Sequence, residues 1–405
     1  MSPPVKGRVP LTRPAVGLEE EAALGEVLRS GWISQGPKVL EFENALADYL
    51  RSKYVRAVNS GTSALMLALK AIGLGPGDSV VVPAFTCAAS ALPVLALGAR
   101  AVFADIELAT FNTTWAEVEQ VLRPDTKAVI LVHLFGRMAD AGTFARQCEA
   151  RGIALIEDAA LALGATQAGR CAGTFGVSGC FSFHPRKMIT TGEGGAVCSD
   201  DPAIAGFVET DRSYGAAASA WDRFQENVGQ LQGFQRLAFN MKLTDIQAAM
   251  GIVQLRKLPA FIARRRQIAA RYREAFSDVA GLYLPAAAEN PEEDMHQAFV
   301  CAWQPEPLEA LLADPAALDR AAMSAQAFRS EVARHGIAVS DAAQFLPELP
   351  VFRQCVGDGN PRELFPNAHL AAKLAFALPM FPNMVSAEIG GVVRAIRDAA
   401  RTTVC

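Results

Sequence analysis

The chain has 405 residues, 38 of them Lys or Arg and 42 Asp or Glu, so its formal net charge is only −4. With 51% hydrophobic residues and with 32 glycines and 23 prolines spread along it, the chain has the composition of an ordinary folded protein. That excludes intrinsic disorder, which combines low hydrophobicity with high net charge. It also lacks the basic excess that marks nucleic-acid binders.

The length suggests two or three domains, or one large domain with a satellite. Eight cysteines lie far apart with no C-x-x-C pair, which fits neither a zinc site nor a small disulfide scaffold and points to a reducing compartment. Residues 1–8 contain no apolar run of the signal-peptide kind. The most apolar stretch, 87–104, is broken by Pro93, Gly98 and Arg100, too interrupted to span a bilayer. These features predict a soluble cytoplasmic protein without a membrane segment.

In chain order, an amphipathic helix is predicted over 62–72, where Leu65, Ala68, Leu69 and Ile72 share one face. Short apolar runs at 79–83, 101–104, 128–134, 153–157, 179–183 and 195–199 read as strands covered on both faces. Alternation with helical patterns predicts an α/β fold with a mostly parallel sheet. After residue 200 the pattern turns to long helices. One is expected over 245–258, with Ile246, Ala249, Met250 and Val253 on one face, and Pro259 is expected to start another that runs through Phe276. A boundary near 258 would divide the chain into a large domain, 1–258, and a smaller α+β domain, 259–405, with a strand at 298–303 and a terminal helix at 387–401. Arg264, Arg265 and Arg266 read as a solvated helix face.

Four segments could carry chemistry. Asn59, Ser60, Gly61, Thr62 and Ser63 open the first helix, where free N–H groups beside the helix dipole suit a phosphate. Taken alone, the same residues read more readily as a simple N-cap by Ser60 or Thr62. Glu157 and Asp158 end an apolar strand, where ligands of open parallel sheets bind, although an acid there can simply cap the next helix. Lys187 lies between an aromatic strand and the glycine turn 192–195. An isolated lysine is normally a surface charge. The fourth segment, 239–249, holds Asn240 and Lys242, with Thr244 or Asp245 as a plain N-cap.

Together the four fit one chemistry. A lysine amine can form an imine with the aldehyde of pyridoxal phosphate. A carboxylate such as Asp158 beside the pyridine nitrogen favours its protonated form. A helix N-terminus with hydroxyls from Thr62, Ser63 and Ser182 suits the phosphate. Phosphate-loop, zinc-protease and nucleophile-elbow signatures are absent. The five histidines show no metal-ligand spacing, so no metal is expected.

These residues resemble the DegT/StrS-type sugar aminotransferases, pyridoxal-phosphate enzymes of fold type I, over about 14–396. The resemblance rests on 30–37, 59–65, 132–136, 157–160, 181–195 and 240–254, and the segments 181–195 and 240–254 are the specific ones. It implies a large domain with a mostly parallel, seven-stranded-type sheet, as in aspartate aminotransferase, and a smaller C-terminal α+β domain. It also implies that Lys187 binds the cofactor aldehyde, that Asp158 faces the pyridine nitrogen, and that Gly61, Thr62, Ser63 and Ser182 hold the phosphate. Asn240 matches an asparagine that reaches the neighbouring subunit's phosphate, which makes a homodimer with shared sites. Lys242 stands where the family often has Arg or Lys.

Three positions depart from the family pattern. Cys87 replaces an aromatic residue over the cofactor ring, Leu161 a polar residue near it, and Tyr214 a frequent histidine. Trp32, Ser34 and Gln35, with His133 and Lys242, are the candidate substrate contacts, and the loop 31–36 reads alternatively as a turn at the dimer interface. The expected reaction moves an amino group, from glutamate, to a keto sugar on a nucleotide carrier. The alternatives are a non-catalytic binding or regulatory protein of the same fold, and a pyridoxamine-phosphate sugar dehydratase, which would lack Lys187.

Overall fold

The computed structural model describes residues 8–216, 233–234 and 236–403; residues 1–7 and Cys405 fall outside it. Seven strands form the central sheet: β1 (Tyr54–Val58), β2 (Ser79–Pro83), β3 (Arg100–Ala104), β4 (Thr126–Val132), β5 (Ala154–Asp158), β6 (Ser178–Ser182) and β7 (Gly195–Ser199). Their spatial order is β1-β7-β6-β5-β4-β2-β3, and β7 alone among them runs against the rest. All six strands expected from apolar runs are present within two residues of their expected starts. The unexpected one is β1, an edge strand whose run is broken by Arg56, and this arginine pairs with Glu209 at 2.7 Å.

Strand alternation sends side chains to two cores. Val80, Val82, Ile130 and Ile156 meet Leu65, Ala68 and Leu69 of helix α3 (Gly61–Ala71) on one face. Val81, Val129 and Leu131 share the other with Phe42 and Leu46 of helix α2 (Pro37–Leu50), which follows helix α1 (Leu18–Ser30). Helix α4 (Pro202–Asp211) covers the β1–β7 edge.

The expected helix break at Pro259 does not occur. Helix α5 (Asp245–Phe276) runs 32 residues straight past it. Proline removes one backbone donor and crowds the preceding turn, but Leu255, Leu258 and Ile262 are buried around it and hold the helix in place. Along α5 the core changes: residues through Ile262 join the α2 side, whereas Ile268, Ala269, Tyr272 and Phe276 join a cluster with Phe299 and Trp303. We propose that the boundary expected near 258 lies a few residues later, between Ile262 and Ile268, where the partners change. It is not a linker.

Beyond α5, a second sheet has the order β8 (Leu282–Tyr283), β9 (Phe299–Trp303), β11 (Ala375–Leu378), β10 (Ser340–Asp341), all antiparallel. Helices α6 (Pro315–Arg334) and α7 (Ser386–Thr403) pack with it, and Trp303 stacks on Phe328 at 4.1 Å. No helix among the described residues is long and apolar enough to cross a membrane.

Candidate active site

The carboxyl ends of β4, β5 and β6 open beside the turn that leaves β1. Ser60 caps α3: its Oγ accepts from Ser63 N at 3.1 Å, while Ser63 Oγ donates to Asn59 Oδ1 at 2.6 Å. The capping reading of Ser60 therefore holds, and it leaves Gly61 and exposed Thr62 at the positive end of the dipole. A Cβ on Gly61 would lie 2.8 Å from Ser182 Cβ, so the first turn of α3 and the end of β6 face each other. A Cβ on Gly195 would lie 2.4 Å from Ser60 O, so only glycine lets β7 carry this turn.

Asp158 is the last residue of β5 and is 7% exposed. Ser90 Oγ donates to its Oδ2 at 2.8 Å and Ala160 N to its Oδ1 at 3.2 Å. Lys187 lies in the loop after β6, half-buried, with its backbone N–H on His184 O at 2.8 Å. Burial pulls its amine below the ordinary lysine range; Asp158, then Cys87, oppose that, and Arg186 adds to it. This places Lys187, Asp158 and exposed Cys87 within one electrostatic neighbourhood. A lowered lysine leaves more neutral, nucleophilic amine at neutral pH. Leu161 is half-buried in the turn after β5.

Glu157 and His133 take a different part from the one expected for His133 as a substrate contact. Glu157 is fully buried and accepts from Gly173 N at 2.8 Å, from Gly176 N at 2.7 Å and from Phe175 N. His133, also fully buried, has Nδ1 accepting from Ala139 N at 3.2 Å. Its proton is thereby assigned to Nε2, which donates to Glu157 at 3.0 Å. With both nitrogens engaged, His133 braces the strand beneath Asp158 and reaches no substrate.

The loop 31–36 folds onto the start of α5. Trp32 Nε1 donates to Gln35 O at 3.0 Å, and Asp245 N donates to Ser34 O at 2.9 Å. Gln35 is only 6% exposed, so it turns inward and leaves half-buried Trp32 and exposed Ser34 as the outer residues. At the far side Asn59 N donates to Met241 O at 2.9 Å, which sets Asn240 next to the α3 turn of its own chain with an exposed side chain. Lys242 Nζ lies 4.0 Å from the centre of the Tyr214 ring, so two family positions meet as a cation–π pair.

A helix N-terminus with hydroxyls, a carboxylate at a strand end and a half-buried amine beside it fit the phosphate, pyridine nitrogen and aldehyde of pyridoxal phosphate. Sequence reading missed Ser90, which holds Asp158 from 68 residues away. It also missed the Glu157–His133 brace, whose only sequence signal is the acidic pair itself. Among the described residues no cluster of His, Cys, Asp and Glu could hold a metal ion.

Comparisons with known proteins agree with this geometry. Residues 14–397 match the DegT/DnrJ/EryC1/StrS aminotransferase family. A spore coat polysaccharide biosynthesis protein, SpsC, of Bacillus subtilis is 33% identical, with 97% of each chain covered. A dTDP-4-dehydro-2,3,6-trideoxy-D-glucose 4-aminotransferase of Saccharopolyspora spinosa is 34% identical, with 96% of each covered. Among solved structures, the aminotransferase TlmJ of Streptoalloteichus hindustanus superposes with a TM-score of 0.87 at 29% identity, covering 98% of this chain and 100% of that one. Match, coverage and fold together make the chain a member of the DegT/DnrJ/EryC1/StrS aminotransferase family, a pyridoxal-phosphate-dependent sugar aminotransferase of fold type I.

Proposed function

We propose that the enzyme transfers the amino group of L-glutamate to a keto sugar carried on a nucleotide diphosphate, in amino-sugar synthesis for a cell-surface polysaccharide or a secondary metabolite. The observation that carries this is the half-buried Lys187 in the electrostatic neighbourhood of Asp158, with the α3 turn facing the end of β6. The Saccharopolyspora relative, named for a dTDP-linked keto sugar, supports the sugar-nucleotide class. A non-catalytic member would be expected to have lost part of this set, and a dehydratase would lack the lysine.

Bound pyridoxal phosphate supplies an electron sink for the carbon that loses its proton. The chain does the rest. Gly61, Thr62, Ser63 and Ser182 bind the phosphate, and Asp158 holds the proton on the pyridine nitrogen. Lys187 moves a proton between the substrate carbon and the cofactor carbon on one face, a task that needs one group within reach of both. Cys87 and Leu161 form a ring pocket less aromatic and less polar than is usual in the family. Trp32, Ser34 and Lys242 are proposed for the sugar nucleotide.

The test is spectroscopic. Glutamate added to the yellow enzyme should bleach the visible band, and a keto sugar nucleotide should restore it in ping-pong order. No bleaching with glutamate or other amino acids, together with no restoration by any keto sugar nucleotide, sinks the proposal.

We further propose a cytoplasmic homodimer with Asn240 of each chain serving its partner's site. Tyr214, Phe234, Leu237 and Phe239 around it are 45%, 61%, 84% and 62% exposed, an apolar surface that suits a second copy. Mixing Lys187→Ala chains with Asn240→Ala chains should then restore about a quarter of wild-type activity, since half the dimers are hybrids with one intact site each. A fully active monomer in sedimentation defeats this.

A further inference from the structure

Arg265 does not lie on the solvated face expected for the arginine run. It is 2% exposed, and among the described residues no carboxylate pairs with it. A buried cation without a counter-charge is costly unless its donors are satisfied. Here Nη1 donates to Gln297 O at 2.8 Å, Met380 O at 3.1 Å and His296 O at 3.3 Å, while the buried Nε meets no acceptor among the described residues, so the grip is made at Nη1. Burial lowers its pKa to about 10.

The segment that Arg265 grips is held from the other side as well. Met295 N donates to Gly136 O at 2.9 Å and Ala298 N to Phe135 O at 3.3 Å. Gly136 has φ +93°, and a Cβ there would lie 2.8 Å from Gln297 N, so this approach requires glycine. From the clamped backbone, Gln297 Nε2 donates to the carbonyl of Arg186, the residue before Lys187. On the opposite flank Gln254 Oε1, also on α5, accepts from Thr190 N at 3.4 Å. Lys187, Thr190, Gln254 and Arg265 line one small cavity. The lysine loop thus hangs between two amides, one on α5 and one on a segment that Arg265 fixes.

We propose that Arg265 is a positioning residue for Lys187 and that Gln297 is the link through which it acts. The inference rests on Lys187 as the cofactor-binding lysine. The amine must reach two carbons on one face, and a displacement of about 1 Å at such a centre costs on the order of 100-fold in rate.

The experiment uses holoenzyme of Gln297→Leu, Gln297→His and Arg265→Lys. It reads the pH titration of the visible band, the single-turnover rate with glutamate, and the melting temperature. Gln297→Leu should fold and stay yellow, shift the titration midpoint by about half a unit or more, and slow the half-reaction about 10- to 100-fold. Gln297→His, whose ring N–H can meet the same carbonyl, should recover most of that rate. Arg265→Lys should show the Gln297→Leu signature, because an ammonium point charge cannot reproduce the guanidinium grip.

Wild-type midpoints and rates in Gln297→Leu and Arg265→Lys overturn the proposal. So does a rate loss that follows melting temperature with no change in midpoint. Failure of Gln297→Leu to fold also overturns it, since a half-exposed amide needed for folding is not a device for aiming a lysine. Failure of the lysine reading is distinguishable: Lys187→Ala would then remain yellow and active whatever these variants show.

Discussion

Lys187→Ala should lower transamination about 10⁴-fold, the upper end of what one positioned acid–base group contributes, and should leave the protein colourless while its melting temperature barely moves. The site explains why no neighbour replaces the amine. His184 is tied to its own loop: its carbonyl accepts from Lys187 N, its Nδ1 from Arg186 N at 3.2 Å, and its Nε2 faces Glu193. His133 is sealed beneath the strand with both nitrogens engaged. Lys242 sits over the Tyr214 ring. Lys187→Arg keeps length and charge but should be equally inactive, because a guanidinium does not lose its proton in this range.

The pH dependence of wild type gives an independent check. Attack on the aldehyde needs the neutral amine, whose fraction grows as pH rises through the lysine pKa. Burial lowers that pKa, so cofactor capture by the apoenzyme should rise at lower pH than for an ordinary lysine near 10.4. Near-native activity in Lys187→Ala without added amine removes the lysine from the mechanism.

The parts of this molecule readable from sequence were those whose cause is local. Six strands announced themselves as apolar runs because both faces are covered. Edge strand β1 did not, because Arg56 interrupts it in order to pair with Glu209. The places of Asp158 and Ser182 at strand ends were legible, as was that of Lys187 between a strand and a glycine turn, while their cofactor roles are proposals. Ser90 was not, since nothing near residue 90 records a carboxylate 68 positions on. Arg265 failed in the same way: a run of three arginines looks solvated, and only the packing of three carbonyls around the middle one shows otherwise. Pro259 failed for the opposite reason, because tertiary burial overrode a local breaker.

Asp158→Asn should reverse the Lys187→Ala signature, keeping the yellow colour while turnover falls. The substitution is close to isosteric. An asparagine oxygen can still accept from Ala160 N, and the Ser90 hydroxyl can rotate to accept from the new amide, so both contacts now made by the carboxylate survive in altered form. Folding stability should change by no more than about 1 kcal/mol. What disappears is the negative charge that we propose faces the pyridine nitrogen. An opposite charge at such range raises a cation's pKa by about one to three units. Each unit is worth about 1.4 kcal/mol, so losing the proton from that nitrogen should slow the proton-transfer step about 10- to 1000-fold. Asp158 also opposes the burial that lowers the Lys187 amine. Without it the amine titrates lower still, and at neutral pH the lysine captures the cofactor at least as readily as before. Colour therefore persists for the same electrostatic reason that catalysis fails. A kcat within threefold of wild type would show that no proton on the pyridine nitrogen depends on Asp158.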